Sequence, residues 1–247
     1  MIAPPVSGVT FAVLAVLVPV ALCGGFLRGF TGFGGPLFVL PVVALFMPAT
    51  QAVAVVLCMD LFANVQLLPA ARRDSSSFIL VPMVIGTLIG LPLGMHMLVS
   101  IDPAIMKRVI AGVVLVAACL LLAGLRYQGE VSRGGYGVIG LLSGSVMGAT
   151  GLGVVMPLLI NSGKGHVAQN RANIVVWVFV ATVFMLGLLL WRHALQLGDA
   201  LGLVPLTIAY VAGIALGCRV YDQSSERWVR RGMLICIIAV AIGSLVL

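Results

Sequence analysis

Long apolar runs separated by short polar links dominate this chain. They lie at 9–27, 37–47, 50–70, 78–99, 104–125, 135–162, 167–190, 200–220 and 229–247. About 20 apolar residues let a helix cross the hydrocarbon of a bilayer, so the pattern predicts a multi-pass helical bundle. The links contain Pro, Gly, Ser or charge, as in Arg72-Arg73-Asp74-Ser75-Ser76-Ser77, and leave no room for a soluble domain. Two runs are interrupted by glycine: Gly29-Phe30-Thr31-Gly32-Phe33-Gly34-Gly35-Pro36 and Gly148-Ala149-Thr150-Gly151-Leu152-Gly153. Glycine weakens a helix, and broken backbone at membrane depth is tolerated where protein or a water-filled cavity satisfies it. Both clusters therefore predict broken helices of the kind that line transporter substrate sites.

The one long polar link, 126–135, falls near the middle and separates two similar units, 1–127 and 128–247. Leu80-Val81-Pro82 recurs as Leu203-Val204-Pro205 (205 − 82 = 123). At that offset Gly90 meets Gly213, Gly94 meets Gly217, and Lys107-Arg108 meets Arg230-Arg231. The glycine motifs match at nearly the same spacing (151 − 32 = 119). The expected fold is an all-α integral membrane protein, a duplicated bundle whose first segment in each half is broken by glycine.

Basic residues set the orientation of such a bundle. If each glycine motif turns the chain back, one face collects Arg72, Arg73, Arg126, Arg133, Lys164, Arg171, Arg219, Arg227, Arg230 and Arg231. The other face collects Lys107, Arg108 and Arg192, a division of 10 to 3. If the motifs only kink their helices, the division is 8 to 5. Turning back fits better, and it makes the repeats inverted with both termini outside. Against it, the matched basic pairs 107–108 and 230–231 then fall on opposite faces.

Composition narrows the function. The 247 residues are 62% hydrophobic and 9% charged, with mean hydropathy +1.22, against about a quarter charged in soluble domains. The net charge of +7 comes from residues that orient membrane segments, so nucleic acid is not an expected partner. Cys23, Cys58, Cys119, Cys218 and Cys236 form no C-x-x-C pair and read as small packing residues rather than a redox or zinc site. No Lys or Arg precedes the first apolar run, so no cleaved secretory signal is expected. His96, His166 and His193 show no metal-ligand spacing; neither metal nor cofactor is expected.

The candidate chemistry lies around the glycine motifs. Pro36 suits the first turn of a helix, because that turn needs no N–H from it. Gly32, Gly34 and Gly35 then present backbone N–H groups at a positive helix end, which favours an anion. Thr31 and Thr150 add hydroxyls, and Gly151 and Gly153 offer the same chance in the second half. The alternative is that these glycines only let helices pack closely. Arg28 precedes the first motif. An arginine inside a membrane is costly and usually faces a cavity or a partner, and its fork suits an oxyanion. Snorkelling to the interface is the rival reading. Asp60 sits near the centre of 50–70 with Asn64 one turn on. It is either a carrier of a coupling proton or the structural partner of an arginine such as Arg28, and no counterpart exists near Phe179. Asn170 and Asn173 open the segment 167–190 and either face the cavity or begin a helix at the membrane surface.

The motif Gly25-x-x-x-Gly29-x-x-Gly32-x-Gly34-Gly35 with Pro41 resembles the TauE/SafE family of sulfite exporters. So do its weaker copy at Gly144, Gly148, Gly151, Gly153 and Pro157, and the stripes Gly86-x-x-x-Gly90-x-x-x-Gly94 and Gly213-x-x-x-Gly217. The resemblance covers nearly the whole chain. It implies a duplicated helical transporter of small anions, typically sulfite, sulfonates such as sulfoacetate or taurine-related compounds, in the bacterial inner membrane. Protons are the candidate coupling ion, and a homodimer is compatible with this reading. The second copy departs from the family pattern, reading Gly153-Val154-Val155. Arg28 is not carried over from the family, so its role rests on the physical argument. The rivals are a channel or a membrane assembly factor, and an intramembrane serine protease. The last finds only Ser143 and Ser145, with leucine at 141 where the nucleophile motif needs glycine.

Overall fold

The computed structural model describes residues 11–31, 34–123, 131–153, 167–192 and 200–221, with 238, 239 and 243. These residues form α-helices: α1 (Phe11–Thr31), α2 (Gly35–Phe46), α3 (Ala49–Asp74), α4 (Ser77–Ser100), α5 (Pro103–Leu122), α6 (Arg133–Thr150), α7 (Val167–Trp191) and α8 (Ala200–Tyr221). No strand occurs among them. Ser77–Ser100, Pro103–Leu120 and Ala172–Trp191 are long and apolar enough to cross a membrane, while Val13–Gly29, Gly35–Phe46, Ala49–Val65 and Val204–Arg219 are shorter apolar stretches. At 12 residues, α2 spans about 18 Å, roughly half a bilayer core.

A helix ends at each glycine cluster. α1 runs through Arg28 to Thr31, and α2 begins at Gly35 with Pro36 in its first turn. α6 ends at Thr150, where Gly151 adopts a left-handed φ of 72° and donates to Met147 O at 2.7 Å. Only glycine takes that φ cheaply, and the bond closes the helix end.

Two helix pairs carry the tightest packing, α4 on α6 and α1 on α8. Each is a glycine seam. A Cβ on Gly25 would strike Tyr210 O, one on Gly29 would strike Ile214 O, and one on Gly213 would strike Leu22 O. In the other pair Gly144 meets Thr87 O, Gly148 meets Leu91 O, and Gly90 meets Leu141 O. The second set repeats the first residue by residue: 144 − 25, 148 − 29 and 141 − 22 all equal 119, while 210 − 87, 214 − 91 and 213 − 90 all equal 123. Small residues let backbones approach, which is how membrane helices gain packing without a hydrophobic drive. α3 packs against α7, with Val53, Met59, Trp177 and Met185 almost wholly buried. Large apolar side chains such as Ile89, Leu93 and Ile208 face outward, as in a bundle whose solvent is lipid.

Candidate functional site

One polar cluster interrupts this apolar interior. Arg28, in the last turn of α1, places Nε 3.1 Å from Asp60 Oδ1. Charge rather than a linear hydrogen bond holds that contact, while Arg28 Nη2 donates to Asn64 Oδ1 at 2.7 Å. Asn64 Nδ2 donates to Asp60 Oδ2 at 3.0 Å, and the Tyr210 hydroxyl donates to Asp60 Oδ1 at 3.1 Å. Arg28, Asp60, Asn64 and Tyr210 are 4%, 3%, 0% and 1% exposed. α1, α3 and α8 therefore converge on one buried cluster in which, among the described residues, one guanidinium faces one carboxylate. The fourfold spacing of Asp60 and Asn64 sets both on one face of α3, and the glycine seam draws α8 close enough to α1 for Tyr210 to reach them.

The start of α2 touches the same cluster. A Cβ on Gly35 would meet the Tyr210 hydroxyl, Gly24 O at 2.8 Å and Arg28 Cβ at 2.9 Å. Gly34 is buried as the N-cap of α2, and its carbonyl accepts from Phe38 N at 3.3 Å. Arg28, Gly34, Gly35, Asp60 and Asn64 thus come together as one neighbourhood. Gly32 and the Thr31 side chain lie outside the described residues.

The second-half candidates do not join it. The Thr150 hydroxyl donates to Val146 O at 2.7 Å and accepts from Leu152 N at 3.3 Å, a local closure of the α6 end. Gly151 rests on Val53 of α3, seven residues before Asp60 and so about 10 Å away along the helix. Gly153 packs on Met147 and Trp177 and lines an apolar groove of about 390 Å³ with Val109, Val113, Val116 and Ser143. Asn173 Oδ1 accepts from Ser76 N at 2.7 Å, so it secures the start of α4. The Asn170 side chain lies outside the described residues.

Packing aligns Arg28 with Met147 (147 − 28 = 119) and Tyr210 with Thr87, which accepts from Trp177 Nε1 at 2.7 Å. Where the α1–α8 seam sets Arg28 and Tyr210 beside Asp60, the α4–α6 seam sets Met147 and Thr87, with Thr87 held by Trp177. This is the asymmetry foreshadowed by the apolar stretch at Phe179. Sequence reading missed Tyr210. Its signal is a phenol inside an apolar helix, three residues before Gly213, where a buried hydroxyl must find a partner.

Among the described residues no group of His, Cys, Asp and Glu could hold a metal ion. His96 is exposed in the last turn of α4, 3.5 Å from Ser100 Oγ. Cys23, Cys58, Cys119 and Cys218 are free thiols. Ser143 is buried, and no histidine is paired with it among the described contacts.

Comparison with known proteins gives one strong result. No curated protein and no solved structure matches, but the sequence model described as "Sulfite exporter TauE/SafE" matches residues 17–244. That range takes in both glycine seams, the cluster on α3 and both halves of the bundle. The chain belongs to the sulfite exporter TauE/SafE family, a family of membrane transporters.

Proposed function

We propose that this protein carries small sulfur oxyanions, sulfite or sulfonates such as sulfoacetate and taurine-related compounds, across the bacterial inner membrane by alternating access. The observation that carries this reading is the buried Arg28, held against the first turn of α2 in a family of sulfite exporters. An arginine fork and a glycine-lined helix start suit an oxyanion with several acceptor atoms. Thr31 and Gly32 belong to the same segment, and Gly34 and Gly35 let a ligand approach the backbone. Asp60 and Asn64 control when the fork is free.

The moving parts are two inverted repeats, 1–127 and 128–247. The recurrence of the glycine contacts at fixed offsets supports this construction. The first helix of each half packs on a helix of the other, α1 on α8 and α6 on α4, so a shift along one seam is matched along its counterpart, which suits rocking motion around a fixed site.

The test is flux of labelled sulfite into proteoliposomes of the purified protein. A transporter gives saturable uptake that responds to an imposed proton gradient. Uptake that rises linearly without saturation indicates a channel, and an enzyme moves nothing.

A further inference from the structure

Arg28 cannot offer its fork to an anion while Asp60 and Asn64 hold it. Among the described residues the cluster is already charge-neutral, one guanidinium against one carboxylate, and every member is nine-tenths buried or more. An anion that simply added itself would leave one net negative charge out of water, at a cost far larger than one hydrogen bond returns. An anion that displaced Asp60 would strand a bare carboxylate in the same place.

We propose, resting on the oxyanion reading above, that the anion and one proton bind together, the proton on Asp60, and that Tyr210 passes its hydroxyl donor from Asp60 to the anion in this exchange. The anion takes the Arg28 fork. Asp60 leaves it as the neutral acid, with its new O–H bond made from a proton drawn from solution. With a monovalent anion such as hydrogensulfite the cluster begins and ends neutral, and no other group changes charge.

The neighbours are suited to both states. Asn64 now donates through Nδ2 to Asp60 and accepts from Arg28 through Oδ1. Once Arg28 turns to the anion, that Oδ1 is free to accept the new Asp60 O–H, one turn away on the same helix face. An amide can do both, whereas a carboxylate or an apolar side chain at 64 cannot. The Tyr210 hydroxyl now donates to Asp60. It sits where a Gly35 side chain would be and beside Arg28, so its donor can turn from the departing carboxylate to the incoming oxyanion.

Among the described residues, the other titratable groups are poorly placed to take the proton. α2 contains no titratable residue. The one charged residue of α7 is Arg171, at its start. Cys58 on α3 is half-buried. His96, Lys107, Arg108 and Cys119 on α4 and α5 are exposed or half-buried, whereas Asp60 is 3% exposed.

The experiment is calorimetric titration of the full-length protein with sulfite in two buffers of different ionisation heat, corrected for sulfite's own ionisation. The expected result is one proton taken up per sulfite bound. Asp60→Asn, which removes the competitor for Arg28, should bind sulfite at least as tightly with no proton uptake. Tyr210→Phe should keep the proton count but weaken binding roughly 10- to 150-fold, the loss of one charge-assisted hydrogen bond. Sulfite binding by the wild-type protein without proton uptake overturns the proposal even if Asp60→Asn fails to fold. A lack of any sulfite binding overturns the oxyanion reading beneath it.

Discussion

Arg28 shows how one residue can be both costly and indispensable. Its charge is tolerated because Asp60 lies 3.1 Å away and Asn64 accepts a further hydrogen bond. Removing one partner of such a pair leaves the other charge buried and alone. Arg28→Met should therefore destabilise the protein by about 3–5 kcal/mol, read as a fall in thermal unfolding temperature in detergent. Arg28→Met with Asp60→Leu should recover most of that loss, because neither charge is then stranded. If the double variant is as unstable as the single one, the pair is not what holds these helices. Gly35→Ala acts differently, since its methyl group meets the Tyr210 hydroxyl and Arg28 Cβ. It should weaken sulfite binding more than it lowers the unfolding temperature. The sequence made Arg28, Asp60 and Asn64 legible, because polar residues in apolar helices need partners and the i, i+4 spacing names a shared face. It could not reveal that Tyr210 joins them from 150 residues away, because only packing decides which helices touch.

Among the helices, the glycine seams are the organising contact. Gly25 and Gly144 each lie against backbone of a crossing helix, Tyr210 and Thr87 respectively, leaving no space for a side chain. Gly25→Ala and Gly144→Ala should each lower the unfolding temperature clearly. Gly112→Ala, where nothing lies within 4 Å, should leave it unchanged or raise it slightly, as expected for removing a helix-interior glycine. Equal effects at all three positions would contradict the seam. The spacing of these glycines was readable as a stripe, but which helix each stripe faces was not: α1 meets α8 and α4 meets α6, pairs far apart in the chain. Asn173 teaches a related lesson. A polar residue near a segment start is compatible with a cavity wall, yet its side chain secures the N–H of Ser76 on another helix.

At the scale of the whole molecule, the apolar runs announced a multi-pass helical protein before any contact was known, because bilayer thickness fixes helix length. Orientation rests on the 10-to-3 division of basic residues. Reporter fusions after Arg73 and at the C-terminus should report opposite faces of the membrane, and a shared face would contradict the inverted arrangement. The account stands or falls on whether Arg28 holds the transported anion. Arg28→Lys tests this most directly, because the charge opposite Asp60 is kept and only the two-pronged geometry is lost. Titration of purified wild-type and Arg28→Lys protein with sulfite should show affinity falling roughly 10- to 150-fold, the cost of about 1.5–3 kcal/mol, with the unfolding temperature nearly unchanged. Wild-type affinity in a folded Arg28→Lys protein would contradict the account.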